Sequence, residues 1–123
     1  MYEVEIILGS SQVNYWALLR VKKDGKLHRK EIAIERKASQ QSNILAAAIE
    51  ALNTLNQPCM LDIKSTEEYL INPLRENWIK SWEQHEWRNA KGRVVRNAEQ
   101  WKEIRRLLSN HSARFHLMRK GEK

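Results

Sequence analysis

Residues 58–69 read Pro58-Cys59-Met60-Leu61-Asp62-Ile63-Lys64-Ser65-Thr66-Glu67-Glu68-Tyr69, and the choice of fold turns on them. Cys59 to Ile63 is a short apolar run entered from Asn56-Gln57-Pro58, which predicts a strand. Before that stop lies Ile44-Leu45-Ala46-Ala47-Ala48-Ile49-Glu50-Ala51-Leu52, alanine-rich and with leucines at 45, 52 and 55. This predicts a helix with one buried face, capped by Ser39 or Ser42. A strand reached through a helical crossover runs parallel to a neighbour.

Upstream, Val4 to Leu8 predicts a strand ended by a turn at Gly9-Ser10-Ser11, and Tyr15 to Val21 a second strand. Asp24-Gly25 supplies the positive φ of a hairpin. Lys26 to Glu35 then alternates, with Ile32 and Ile34 on one face. Downstream, Thr66 to Trp82 predicts a helical stretch broken near Pro73, followed by a loop at Asn89 to Arg93. Asn97 to Leu108 predicts a helix with Trp101, Ile104, Leu107 and Leu108 on one stripe. Ala113 to Met118 closes as a fifth strand. The order β-β-β-α-β-α-α-β is an α/β domain: a five-stranded mixed sheet, three antiparallel strands and then β-α-β crossovers, with helices packed on it.

At 123 residues and 41% hydrophobic composition, the chain is expected to form a single domain over 1–123. Its longest apolar run falls far short of the ~20 residues of a membrane span. The acidic, strand-like start is unlike a signal peptide. One cysteine, Cys59, excludes an internal disulfide and a cysteine-based zinc site, and the cytoplasm is the expected compartment.

The charge is segregated. Residues 1–74 hold nine basic and nine acidic side chains, whereas residues 75–123 hold 13 and six. The whole excess of +7 therefore lies in the second segment, with four of the five tryptophans. Cations interleaved with aromatics are the footprint of a polyanion-binding surface.

Three motifs carry a family resemblance. Ser65-Thr66-Glu67-Glu68-Tyr69 after its strand, the spacing Trp78, Trp82, Trp87, and Gly92-Arg93-Val94-Val95-Arg96-Asn97-Ala98-Glu99-Gln100-Trp101 together resemble the type 1 ribonuclease H family, in register from Pro58 to Phe115. The resemblance implies the ribonuclease H-like fold and, for an active member, cleavage of RNA in RNA–DNA hybrids by two Mg²⁺ ions held by four carboxylates. The family's first aspartate falls at Leu8, its glutamate at Ile44 and its second aspartate at Thr66. The fourth carboxylate belongs to a final helix that the resemblance places beyond this sequence. Hard divalent cations need oxygen ligands, so the sequence predicts no catalytic residues and no metal or cofactor: a degenerate member. Glu67 and Glu68 lie just past Thr66, and Glu67 could swing toward the sheet end.

The resemblance implies a kept binding surface. Ser39-Gln40-Gln41 stands where the family has a polar hybrid-gripping segment, and a basic protrusion over about 75–97 carries Lys80, Trp82, Arg88, Lys91, Arg93 and Arg96. These nine are the candidate nucleic-acid-binding residues. Trp78 and Trp101 read as core, while Trp82 and Trp87 fit either core or stacking. His28, His85, His111 and His116 share no metal-ligand spacing, Arg105 and Arg106 complement a helix end, and Cys59 reads as a core thiol. The expected function is weak binding of nucleic acid, as RNA–DNA hybrid or duplex, or an accessory role. An active hybrid ribonuclease and a protein-assembly domain are the alternatives. Without a covering helix, Phe115 and Leu117, or His116 and Met118, would face water, which predicts a homodimer or protein partner.

Overall fold

The computed structural model describes residues 1–120. Strands β1 (Tyr2–Ser10), β2 (Asn14–Lys23) and β3 (Lys26–Glu35) come first, followed by helix α1 (Gln40–Asn53), β4 (Cys59–Ser65), α2 (Glu68–Arg75), α3 (Trp78–Gln84), α4 (Ala98–Leu108) and β5 (Ser112–Leu117). They form one sheet in the order β3-β2-β1-β4-β5. The β1–β2 and β2–β3 pairs are antiparallel, and β4 runs parallel to both β1 and β5. The expected fold is therefore observed.

Alternation separates two faces of the sheet. Val4, Ile6 and Leu8 of β1, Ala17 and Leu19 of β2, and Leu61 and Ile63 of β4 are buried together. Helix α1 packs on β1 and β2, α2 packs on β4 and β5, and α4 packs on α1. Trp101 and Ile104 of α4 are wholly buried in that core, as are Ile44 and Leu45 of α1. The opposite face is charged. Glu5 accepts from Lys64 Nζ at 2.7 Å and from Arg20 Nε at 2.6 Å. The Lys64 ammonium, then the Arg20 guanidinium, hold the Glu5 carboxyl below the usual carboxylate range. Trp16 also stands on this face, its indole laid over Gly9 so closely that a Cβ there would meet ring atoms at 2.3–2.4 Å.

Local chemistry sets the element ends. The hairpin turn uses Asp24 and Gly25 at φ 53° and 78°, and the Ser39 side chain caps α1 by accepting from Ser42 N–H at 3.0 Å. Four expectations are corrected. β1 runs on through Gly9 and Ser10, and its turn begins at Ser11, because Gly9 and Ser10 still pair with Trp16 and Tyr15 of β2. The helical stretch breaks at Asn77, which is left-handed at φ 57°, and not at Pro73, which lies buried inside α2. Phe115 and Leu117 are half-buried and pack against the core, so neither faces water fully as expected; Ser112, Arg114 and His116 occupy the alternate positions and are exposed. Trp78, read as core, is 47% exposed. Among the described residues no helix is long and apolar enough to cross a membrane.

Candidate nucleic-acid interface

Two neighbouring regions carry chemistry: the cleft where β1, α1 and β4 converge, and the aromatic, basic segment from α3 to the start of α4. In the cleft, β1 delivers Ser10, one alternation beyond Leu8. Leu8 sits deeper, paired with Ala17 and Ser65 and buried. From the end of β4 the side chain that enters is Glu67, while Thr66 faces solvent. Ser10 Oγ lies 2.9 and 2.8 Å from the two carboxylate oxygens of Glu67, to which it donates. It also lies 3.1 Å from the Gln40 carbonyl. The Gln40 amide donates to the Ser10 carbonyl at 3.4 Å. Ser65 Oγ accepts the Glu67 backbone N–H at 3.1 Å. Burial pushes the Glu67 carboxyl above the usual range, against the lowering effect of its bonds to Ser10 and Gln40. An open hollow of about 760 Å³ lies over this network, lined by Gln40, Gln41, Thr66, Glu67, Glu68 and Tyr69 among others.

A pair of divalent ions does not fit these donors. Leu8 and Ile44 are apolar and buried, Thr66 offers one hydroxyl, and Glu67 is the carboxylate already bonded to Ser10. Among the described residues no three His, Cys, Asp or Glu side chains come together in a way that could hold a metal. Cys59 is buried, which pushes its thiol up. Its N–H donates to His111 Nδ1 at 3.0 Å, a structural use of that histidine.

The basic segment is built on a run of aromatic contacts. Trp78 and Trp82, one turn apart on α3, meet edge to face with centroids 6.5 Å apart. Trp82 also meets Trp101 at 5.6 Å and Trp87 at 6.2 Å, and Tyr69 meets Trp101 at 5.8 Å. Beyond α3 the chain reverses through Glu86 and Trp87, both left-handed at φ 56° and 61°. A small loop then closes. Arg88 bridges Val94, Asn89 N–H donates to the Arg93 carbonyl at 2.8 Å, and Val95 N–H donates to the Trp87 carbonyl at 2.8 Å. The Asn89 side chain accepts from the Lys91 and Arg93 N–H groups at 2.9 and 3.1 Å.

This arrangement sets Lys80, Arg88, Lys91, Arg93 and Arg96 on the exposed surface. In the second half of the chain the ion pairs among described residues are Arg75–Glu76, Lys102–Glu99, Arg105–Glu83 and Arg106–Glu103. None of them uses the five. Arg88 only donates to the Gly92 carbonyl at 2.9 Å. Among the described residues the cations of α4 are thus locally compensated, and these five are not. Ser39 and Gln40 are engaged within the fold as cap and cleft partner, while Gln41 lines the hollow. The sequence reading missed Ser10. Its signal was the alternation Val4, Ile6, Leu8, which continues to Ser10 on the same face.

Comparison with known proteins agrees with this geometry. The family model for RNase H matches residues 8–119. The Ribonuclease H of Chlorobium phaeovibrioides is 42% identical over 72 residues, 58% of this chain and 49% of that protein. The chain spans about half the length of the curated relatives it matches in this way. A crystal structure of a type 1 RNase H with the type 2 active-site motif superposes with a TM-score of 0.83 at 15% identity, covering 97% of this chain and 64% of that one. A foamy viral protease–reverse transcriptase in complex with RNA/DNA hybrid superposes with a TM-score of 0.69 at 14% identity, covering 94% of this chain and 17% of that one. The likeness to these two structures concerns the fold, a five-stranded mixed sheet with helices packed on it. With the family model matched across nearly its whole length, the chain belongs to the RNase H family.

Proposed function

We propose that this chain is a catalytically degenerate RNase H-like protein that binds nucleic acid, RNA–DNA hybrid included, through its basic protrusion. The observation that carries the reading is the cleft: Leu8 and Ile44 are buried apolar side chains, and the carboxylate that does enter is bonded to Ser10. Two-metal hydrolysis needs two ions clamped about 3.5–4 Å apart on attacking and leaving oxygens, and Glu67, bonded to Ser10, with the exposed Glu68 beside it does not replace the four carboxylates that the family resemblance implies. Among the described residues five exposed cations have no acidic partner, which supports retained attraction for phosphate. The proposed compartment is the cytoplasm, and the proposed partners are nucleic acid together with a second copy of the chain or a protein partner.

A second reading is supported by Glu67, which enters the cleft at the end of β4, and by the relatives named Ribonuclease H. In it the chain is an active hybrid ribonuclease. One experiment separates the two: incubation of an end-labelled RNA–DNA hybrid with the purified chain in Mg²⁺ or Mn²⁺. The degenerate reading expects no cleavage above that of the Glu67→Gln variant. Divalent-dependent cleavage that Glu67→Gln abolishes would establish the second.

A further inference from the structure

The sheet face turned away from the helices carries a charge pattern that one chain does not use up. Its side chains alternate with the core positions, so the register sets them in rows across β3, β2, β1 and β4. One row reads Arg29, Arg20, Glu5, Asp62, and the next Glu31, Leu18, Ile7, Lys64. Continuing the register on one side gives Leu27, Lys22, Glu3, Met60, and on the other Trp16 lies across from Gly9. Each row is complementary to its own reversal. Arg29 matches Asp62, Arg20 matches Glu5, and Glu31 matches Lys64. In the outer row Lys22 matches Glu3 and Leu27 matches Met60, while Leu18 matches Ile7 in the middle of the face.

A two-fold axis parallel to the strands, in the plane of the contact and between β1 and β2, performs that reversal. It sets β1 of a second copy over β2 and β4 of that copy over β3, and keeps every row over itself. Small displacements of the axis oppose like charges. Centred on β1 it sets Glu5 on Glu5, and centred on β2 it sets Arg20 on Arg20. Between β1 and β4 it sets Glu5 on Asp62 and Arg20 on Arg114, and between β2 and β3 it sets Arg20 on Arg29. Complementary charge of this kind fixes the register of a contact more than its strength. Apolar area must supply the strength. Trp16, Leu27 and Met60 are 43%, 63% and 45% exposed on this one face, and Ile7 and Leu18 are half-buried between them. Among the described residues Lys22 and Glu3 are exposed and have no ion-pair partner, and the second copy gives each of them one.

We infer that the chain pairs with a second copy of itself, open sheet face against open sheet face, about this axis. The inference rests on the second-copy part of the proposal above and commits it to one surface. Two sheets in that arrangement stack ~10 Å apart with their strands within ~30° of each other. Four strands ~4.8 Å apart and seven residues long span ~19 by ~23 Å, on the scale of a standard interface of ~800 Å² per partner.

Arg29 and Asp62 carry the test, because β2 and β1 separate them within one chain and they meet only across the axis. Sedimentation velocity of the whole chain at tens of micromolar should show a species of twice the 14.6 kDa chain mass. Arg29→Glu opposes acids at two places in the pair, and Asp62→Lys opposes bases at two places. Each should weaken association about tenfold or more. An equimolar mixture of the two variants should return to within about threefold of the parent, because one of its two contacts is native and the other is reversed. Should circular dichroism show either variant misfolded, Glu31→Lys and Lys64→Glu form the same test. A chain that stays at a single mass throughout would overturn the inference and the second-copy part of the proposal, while hybrid binding, measured separately by anisotropy, would stand on its own result. A dimer that neither variant weakens would keep the second copy, move the contact to another face and end the inference. Two weakened variants whose mixture stays dissociated would remove the axis and end it as well.

Discussion

The hydroxyl of Ser10 sits between the two carboxylate oxygens of Glu67, at 2.8 and 2.9 Å, joining the end of β1 to the start of α2. In the family resemblance the neighbouring positions, Leu8 and Thr66, carry aspartates, and two carboxylates brought close together repel. A hydroxyl on one carboxylate has no such repulsion and needs no ion to hold it together. The end of β1 and the start of α2 are therefore held together by their own hydrogen bonds.

That contact has a pH signature. Burial raises the Glu67 carboxyl in the folded chain, so between its unfolded and folded pKa values the native state binds more protons than the unfolded one. Stability from this group is fully present below the unfolded value and is lost as pH rises through the folded one. Glu67→Gln removes the charge and keeps the shape, and its amide can still accept from Ser10. The variant is expected to be more stable than the parent at pH 7, with the difference vanishing near pH 4. Denaturant melts at both pH values check it, and a variant less stable at pH 7 would contradict it.

Glu5 gives the opposite sign. Lys64 and Arg20 lower its carboxyl, so its stabilisation is present above the unfolded pKa and is lost as pH falls through the folded one. The pairs are partly exposed, which limits the effect to about 1 kcal/mol or less. Glu5→Gln should destabilise at pH 7 and low salt, and much less at pH 3 or in 1 M salt. Melts over that grid measure it.

The reversal after α3 predicts a stabilising substitution. Glu86 is left-handed at φ 56° and its side chain is exposed, where an L-residue costs about 1–2 kcal/mol and glycine does not. Part of that gain is offset by the larger unfolded-state entropy of glycine. Glu86→Gly should stabilise by roughly 0.5–1 kcal/mol, raising Tm by a few degrees, whereas Glu86→Ala should not. Calorimetry of the two variants side by side tests the point.

The sheet was legible because its signals are local: the Asp24-Gly25 turn, the alternation in β3, the Ser39 cap and the crossover into Cys59 each depend on neighbours in sequence. Charge segregation likewise needed only counting, although that Arg105 and Arg106 pair with Glu83 and Glu103 depends on packing. The cleft was read less well because one residue of register at a strand end exchanges inward for outward. Carrying the family's second aspartate to Thr66 put a solvent-facing side chain at the cleft, although the sequence lets Glu67 beside it reach the sheet end; stopping β1 at Leu8 hid Ser10, two residues on along the same face. Trp78 was misplaced for a related reason. Its i, i+4 spacing with Trp82 fixes that the two rings touch, but which of them faces the core depends on Trp101, 19 or more residues away.

Gly9 and Trp16 form a cross-strand pair whose indole occupies the space of a Cβ at Gly9. Gly9→Ala must move the indole, at a cost of about 1–3 kcal/mol. In a Trp16→Ala background the same change should cost little. A double-mutant cycle that returns additive values would show that the indole does not lie there in solution.

The final prediction concerns the five uncompensated cations. If Lys80, Arg88, Lys91, Arg93 and Arg96 each neutralise a phosphate, log K for a paired hybrid falls with log salt at a slope of roughly −4. The dissociation constant belongs to the non-specific range, ~10⁻⁴ to 10⁻⁶ M at physiological salt. Removing Arg93 and Arg96 together should flatten the slope by roughly two units. Removing Arg105 and Arg106 should barely change it, because those side chains already answer Glu83 and Glu103. Anisotropy titrations between 25 and 200 mM salt distinguish the pairs of variants. Equal flattening by both would mean that net charge alone attracts the nucleic acid. A flat response in the parent would remove the protrusion as a phosphate-binding surface and leave assembly as its role.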